Sequence, residues 1–576
     1  MARSKAKVYL CCALILISFI SIIVCIAVFA RRRCPSGSFF KAAVATDSKI
    51  CSEIGRGILE KGGSAVDAAI AALLCTFLAN PHSAGIGGGS IFTVMDSSGD
   101  VKIINSREVA PAKGKSDLLK SCPEKSMTGV KWIGVPGEMR GYEAAHKLYG
   151  KLPWADLFQP TIKLAREGMP ISDILHSYIK QIPNSNETQS LRKLFTADNN
   201  NFLKAGDFVK FEKLADTLEM IANQGADVFY TGKIAKDLVQ DVKAAGGTLE
   251  LQDLASYNAT LTDAWNVSMW EYQMYFPPPP AGGSLLTLIL NIMRGYQLNP
   301  EGLTGEKKTL FYHRYIESFK FANGLKKYIR DPRFTSEKTA KQFTEESFAD
   351  YIRSLITDDK THDLQFYNVT PHLDSIGTTH VSVLHEDGSA VAVTSTINTI
   401  FGSMVVSPKT GIILNNELKD FCGRADSILP GERPPSSMSP VVLRSKSKTL
   451  VIGGSGGSMI TTAMASALIN HLWLGKSLED AINTSVVFVD NTNAVKFEPD
   501  FDKDVIEGLK ALGHSLATTT RFYNVVNAVE KEDGCILAVS DGHWAAGAYH
   551  GHFWAKARDI LDRSPVFHRT TFVFAM

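Results

Sequence analysis

The sequence predicts a mixed α and β protein (α+β) behind one membrane-spanning helix, and three observations predict it. Residues 8–30 carry no charge, and about 20 consecutive apolar residues cross a hydrocarbon core about 30 Å thick. Two apolar helical patterns open the globular part, and residues from about 115 to 250 also read as mainly helical. From Gly377 the texture changes to short alternating runs of the strand period.

The apolar run exceeds the roughly 7–15 residues of a signal-peptide core, so it reads as an uncleaved signal anchor. Arg3, Lys5 and Lys7 before it are balanced by Arg31, Arg32 and Arg33 after it, so the positive-inside rule barely votes. Asn186, Asn258, Asn266, Asn368 and Asn483 open N-x-S/T sequons, all after the span. With only residues 1–7 before the anchor, this predicts a cytoplasmic tail and a type II ectodomain at the plasma membrane. The net charge of +2 leaves no electrostatic footprint for nucleic acid. Of nine cysteines, Cys11, Cys12 and Cys25 fall in the span, leaving a set sparse enough for one or two bridges.

Residues 31–40 form a stalk. KICSEIGRGILEKGG then reads as a helix closed by glycines, and SAVDAAIAALLCTFLAN as a second helix capped by Ser64. Cys51 and Cys75 sit on these helices, as buried thiols or as a bridge. GIGGGSIFTVMD is a glycine turn into a strand, and VKIINSREVAP a strand ending at Arg107. Pro277 to Pro280 break any regular element.

GTTHVSVLHEDGSAVAVTST reads as a hairpin, with Glu386-Asp387-Gly388 as a three-residue loop and Gly388 left-handed. That register sets Thr378 opposite Thr396 on one face, and Asn398 joins by strand period. A two-residue loop would send Thr396 to the other side. LNNELKDF spaces Glu417 and Asp420 by three, one turn if helical. ERPPSSMSP carries Ser436 and Ser437 beside stiffening prolines. TLVIGGSGGSMITTAMASALI reads strand, glycine loop, helix, able to hold an anion on backbone N–H groups. It lacks the G-K-[ST] and G-x-G-x-x-G spacings of nucleotide sites, and no ligand cluster for a metal or organic cofactor is visible.

These motifs, with WIGVPGE, FPPPPAGG and INSREVAP, resemble the γ-glutamyltransferases (glutathione hydrolases) from about Ala42 to Ser540. The resemblance implies a four-layer αββα sandwich of the N-terminal nucleophile hydrolase type. It implies a proenzyme cut between Gly377 and Thr378, with a large subunit 41–377 and a small one 378–549 forming a heterodimer. Thr378 would be the nucleophile, its freed α-amine the base. Thr396 would orient it, and Gly456 and Gly457 would hold the oxyanion. Arg107, with Ser436 and Ser437, would bind the α-carboxylate of the γ-glutamyl group through a planar fork. Asn398, Glu417 and Asp420 would take its α-ammonium. Implied substrates are glutathione, its S-conjugates and leukotriene C4, with water or amino acid and dipeptide acceptors. A Cys51–Cys75 bridge is implied as well.

His380 reads as structural, Glu108 as a salt-bridge partner, and Lys419 as a solvated charge. Residues 550–576 depart from the family's ending, which is basic and glycine-rich. Two rival readings are an acylase on the same scaffold and an unprocessed surface protein that acts by binding.

Overall fold

The computed structural model describes Cys34 and residues 38–113, 118–122, 128–297, 302–369, 376–518, 524–542 and 573–575. The anchor expected at residues 8–30 and the cytoplasmic tail before it lie outside these, as does most of the 550–576 tail. Among the described residues no helix is long and apolar enough to cross a membrane.

The chain is mixed helix and sheet. Its strands are β1 (Ala42–Thr46), β2 (Gly89–Met95), β3 (Val101–Asn105), β4 (Thr260–Asp263), β5 (Trp265–Met269) and β6 (Tyr272–Phe276). They continue with β7 (Thr379–His385), β8 (Ala390–Thr396), β9 (Val441–Arg444), β10 (Lys448–Ser455), β11 (Val525–Glu532), β12 (Cys535–Ser540) and β13 (Val573–Ala575). One sheet runs β13-β1-β7-β8-β2-β3-β4 and the other β12-β11-β10-β9-β6-β5. The hairpin β7–β8 is therefore inserted between β1 and β2, strands that precede it by some 300 residues.

The strand period sorts side chains into three cores. Val381, Val383, Val391 and Val393 face helices α1 (Lys49–Glu60) and α2 (Ala65–Ala79). Their neighbours Leu384, Ala390 and Ala392 meet Val442, Val451 and Val529 of the other sheet. Val441, Leu443, Leu450 and Ile452 face outward onto α3 (Gly283–Arg294), α4 (Gly305–Leu325) and α5 (Ile460–Leu468). The small residues between the sheets allow close approach; the large ones lie under the helices.

Several elements follow from local chemistry. Ser64 and Asp67 form a capping box at the start of α2, a helix buried along its whole length. The Asp67 carboxylate also accepts Lys151 and Leu152 N–H at 2.8 and 3.0 Å, tying a distant loop to the cap. Strand β3 ends at Asn105, two residues earlier than the sequence suggests, because the Asn105 side chain accepts the Arg107 N–H at 2.9 Å. The stretch from 115 to 250 is helical as expected, apart from two short strands, Met169–Pro170 and Phe208–Val209. Asn186, Asn258, Asn266 and Asn368 are exposed, and Asn483 is half-buried.

Three disulfides occur among the described residues, more than the one or two expected: Cys51–Cys75, Cys34–Cys535 and Cys122–Cys422. The first joins α1 to α2, as the resemblance implied. The others bridge residues 501 and 300 apart, pairings that spacing could not reveal.

Replacing Asp67 with alanine strands three backbone N–H groups at once and should lower unfolding stability by about 3 kcal/mol. Ser64→Ala should cost about 1 kcal/mol; urea denaturation separates the two. His471, just beyond α5, bonds Glu530 of β11 at 2.9 Å. Burial alone would depress its imidazole, but the Glu530 carboxylate outweighs burial and raises it. A raised histidine stabilises the fold fully below its unfolded value of about 6.5, and that contribution is lost as pH climbs through the higher folded value. The melting-temperature advantage of wild type over His471→Gln should therefore shrink as pH is raised from about 6 to 8.

Candidate active site

The three-residue loop forms as the sequence suggests. Ser389 pairs back to His385, and Gly388 has a φ of 90°. The register Thr394↔His380 and Ser395↔Thr379 then brings Thr396 level with Thr378, and their hydroxyls lie 3.1 Å apart, Thr378 donating. The Thr396 hydroxyl also accepts the Asn398 N–H at 2.8 Å, so its oxygen is fixed from two sides. Both threonines lie on the face directed between the sheets, at its open end.

The backbone at this point is strained. Thr378 has a φ of 89°, rare for a β-branched residue and worth about 1–3 kcal/mol. Gly377 before it has a φ of 157°, and a side chain there would place its Cβ 2.2 Å from the Asn398 carbonyl oxygen. Three hydrogen bonds hold the segment. Thr378 N–H donates to the Ser83 carbonyl at 3.1 Å. Gly456 N–H donates to the Gly377 carbonyl at 2.9 Å. The Thr379 hydroxyl donates to Asp47 at 2.7 Å. Gly456 ends β10, adopts a φ of 121°, and leads through Gly457 into α5, the strand–glycine loop–helix order read from sequence.

A cavity of about 520 Å³ opens beside Thr378, within the usual size for a small-molecule site. Arg107, Thr396, Asn398, Glu417, Asp420, Ser436, Ser437 and Gly457 all line it. Glu417 and Asp420 sit on a 3-10 helix, Glu417–Phe421, whose three residues per turn stack them on one side. Asp420 accepts the Asn398 amide at 2.9 Å.

Arg107 is arranged differently from the free fork expected. It is buried between the two acids, with Nη1 2.7 Å from Glu417 and Nη2 2.7 Å from Asp420. The Pro434 and Pro435 carbonyls accept from Nε and Nη2 at 3.2 and 2.7 Å. Four of the five guanidinium N–H donors are thus engaged, leaving one at Nη1. Stiff proline backbone is what supplies those carbonyls, a role the sequence did not suggest.

One other expectation is corrected. Lys419 is not solvated: it is 8% exposed and borders the cavity, because Leu418 and Phe421 clamp the turn onto Trp132. Glu108 is an ion-pair partner of Arg107, as expected, but a long one at 3.9 Å, and neither carboxyl oxygen has a hydrogen-bond partner. Burial pushes its carboxyl well above the ordinary range, with Glu417 adding to the rise. Burial raises Glu417 too, but Glu417 holds the short bond to Arg107. Burial thus works against a full negative charge on both Glu108 and Glu417, and the Arg107 guanidinium works in its favour.

His380 matches its structural reading. It is buried, bonded to Thr394 and Ser382 at 2.8 and 2.9 Å, and held down to about 3 by burial, so it is neutral. Among the described residues the fold also assembles one group of potential metal ligands that the sequence had hidden, His313, Glu317 and His514. The Lys320 ammonium lies among them, 3.1 Å from Glu317 and 3.0 Å from His514, a cation already in place. Beyond the acids, the cavity mouth is lined by Lys326, Lys327, Tyr328, Ile329, Arg330 and Arg424, residues without a motif and so invisible beforehand.

Comparison with known proteins agrees with this geometry. A family model for Gamma-glutamyltranspeptidase matches residues 51–550. The glutathione hydrolase 5 proenzyme of Rattus norvegicus is 44% identical over 531 residues, covering 89% of this chain and 93% of that protein. Its Homo sapiens counterpart is 43% identical over 555 residues, covering 90% and 94%. The crystal structure of cephalosporin acylase from Bacillus halodurans superposes with a TM-score of 0.78 at 24% identity, covering 88% of this chain and 95% of that one. That likeness shows the fold alone. A match along most of the sequence, and a fold whose inserted hairpin sets a strained threonine beside a cavity lined by Arg107, Glu417 and Asp420, lead to one conclusion: the chain belongs to the gamma-glutamyltranspeptidase family.

Proposed function

We propose that the protein cuts its own Gly377–Thr378 bond and then hydrolyses or transfers γ-glutamyl groups through an ester on Thr378. The observation that carries this is the pairing of a strained Thr378, its hydroxyl on Thr396, with a Gly377 carbonyl already held by the Gly456 N–H. In the break, Thr378 Oγ1 bonds to the Gly377 carbonyl carbon, the C–N bond opens, and the departing nitrogen takes the hydroxyl proton. Water then hydrolyses the ester, leaving a carboxylate on Gly377 and a free amine on Thr378. Strain at Thr378 is relieved as the bond opens, which favours the step.

In turnover the α-amine, with an ordinary value near 8, accepts the Thr378 proton as the oxygen attacks the γ-carbonyl. The N–H groups of Gly456 and Gly457 stabilise the oxyanion, each worth about 3 kcal/mol by analogy with measured oxyanion donors. The proton passes to the leaving amine, and water or an acceptor amine resolves the ester. The α-ammonium of the donor meets the carboxyl oxygens of Glu417 and Asp420, with Asn398 as a further acceptor. Its α-carboxylate meets the remaining Nη1 donor of Arg107 together with Ser436 and Ser437.

The finer reading is a four-layer αββα hydrolase with fragments 41–377 and 378–549, held by a signal anchor as a type II plasma-membrane protein. Its sequons Asn186, Asn258, Asn266, Asn368 and Asn483 would then face the glycosylating side. Donors are glutathione and its S-conjugates, leukotriene C4 among them, with water, amino acids or dipeptides as acceptors. No cofactor takes part in this scheme.

Wild type and Thr378→Ala should be compared by reducing electrophoresis, N-terminal sequencing and γ-glutamyl release. Wild type should yield a fragment beginning at Thr378, whereas Thr378→Ala should stay whole with activity down at least about 10³-fold. An active wild type without that fragment would overturn the mechanism, and a whole, inactive wild type would favour the binding-protein reading. Arg107→Lys replaces a fork by a point charge and leaves buried acceptors unpaired. It should cut γ-glutamyl release by at least about 100-fold in kcat/KM.

A further inference from the structure

Two of the three disulfides join residues on opposite sides of Gly377–Thr378. Cys34 and Cys122 precede that bond; Cys535 and Cys422 follow it. Their Cα–Cα distances of 5.6 and 5.8 Å are those of ordinary bridges. The remaining bridge, Cys51–Cys75, lies wholly before the bond.

The two crossing bridges sit in different surroundings. Cys535 opens β12, an outer strand of the second sheet, and the neighbouring Phe39–Ile536 backbone pairing runs alongside the Cys34 bridge. That bond lies away from the cavity. Cys422 instead borders the cavity and follows the acid-bearing turn directly. Its N–H closes that turn by donating to the Lys419 carbonyl at 2.9 Å. Leu418, Phe421 and Cys422 pack with Ala110, Leu118 and Trp132 in a small apolar cluster, and Cys122 lies against it. The turn that places Glu417 and Asp420 on Arg107 is therefore held from one side by ion pairs and from the other by a covalent bond.

We infer that the two fragments remain covalently joined after the break, through Cys34–Cys535 and Cys122–Cys422, and that Cys122–Cys422 positions the turn carrying Glu417 and Asp420. This rests on the break proposed above. Cys122 and Cys422 are positioning residues: they act through the two acids and touch no reacting atom. The Cys34–Cys535 bond is a tether alone, so the two bridges have separable effects.

The test uses full-length protein from native membranes, its free thiols blocked before denaturation, detected with probes near each end of the chain. Without reductant, both probes should mark one band of full-length size; with reductant, two bands. Two bands in both conditions would overturn the linkage while leaving the break intact. One band in both would show that the break itself fails, and the inference with it. Either pair removed alone, C34S/C535S or C122S/C422S, should leave the fragments linked, and only the quadruple variant should release them without reductant.

For the positioning role, C122S/C422S should raise KM for a γ-glutamyl donor by about fivefold or more with kcat changed less than about twofold. C34S/C535S should change neither. Equal KM values in the two double variants would overturn the positioning role. If the serine pair does not accumulate, C122A/C422A, which leaves no polar atom in the apolar cluster, takes its place.

Discussion

Parity along the hairpin β7–β8 governs the site. With three residues in its loop, even-numbered positions from Thr378 to Leu384 face the opposing sheet, and odd-numbered valines face the helices. A loop shorter by one would invert β8 relative to β7, putting Val391 and Val393 between the sheets and separating Thr396 from Thr378. The core thus enforces the register that the chemistry needs. Alanines pack between the sheets, and His380 lies so close against Gly453 that a Cβ there would fall 2.1 Å from the imidazole, so this register is tightly fitted.

Electrostatics then defines what the cavity accepts. A buried guanidinium shared by two carboxylates costs desolvation that only tight hydrogen bonding offsets. Here two proline carbonyls complete the shell, and burial holds the Glu108 carboxyl well above the usual carboxylate range. The result is a surface of carboxyl oxygens with one guanidinium donor to spare. Under the proposed function, an α-amino acid end group brings an ammonium for those oxygens and a carboxylate for that donor.

Much of this was legible in sequence, and for physical reasons. Helix caps such as Ser64–Asp67, the glycine loop before α5 and the Glu386–Gly388 turn are local codes, read within a few residues. The paired threonines followed from loop length. What escaped notice was set by long-range packing. The inward turn of Lys419 depends on Trp132, nearly 290 positions earlier. The sharing of Arg107 depends on carbonyl oxygens, which every residue carries and no motif marks. The Cys34–Cys535 and Cys122–Cys422 pairs, and the His313–His514 contact, are likewise products of topology rather than spacing.

The interleaving of strands has an implication for biogenesis. Gly456 and Thr396, which grip the bond at Gly377, lie downstream of it in the chain, and β7–β8 can dock only between strands made long before. Under the proposed self-cleavage, scission must therefore wait until synthesis has passed α5 and both sheets have closed. A polypeptide that misassembles never forms the arrangement that severs it. Maturation so becomes a built-in report on correct folding, delivered by the same atoms that later handle substrate.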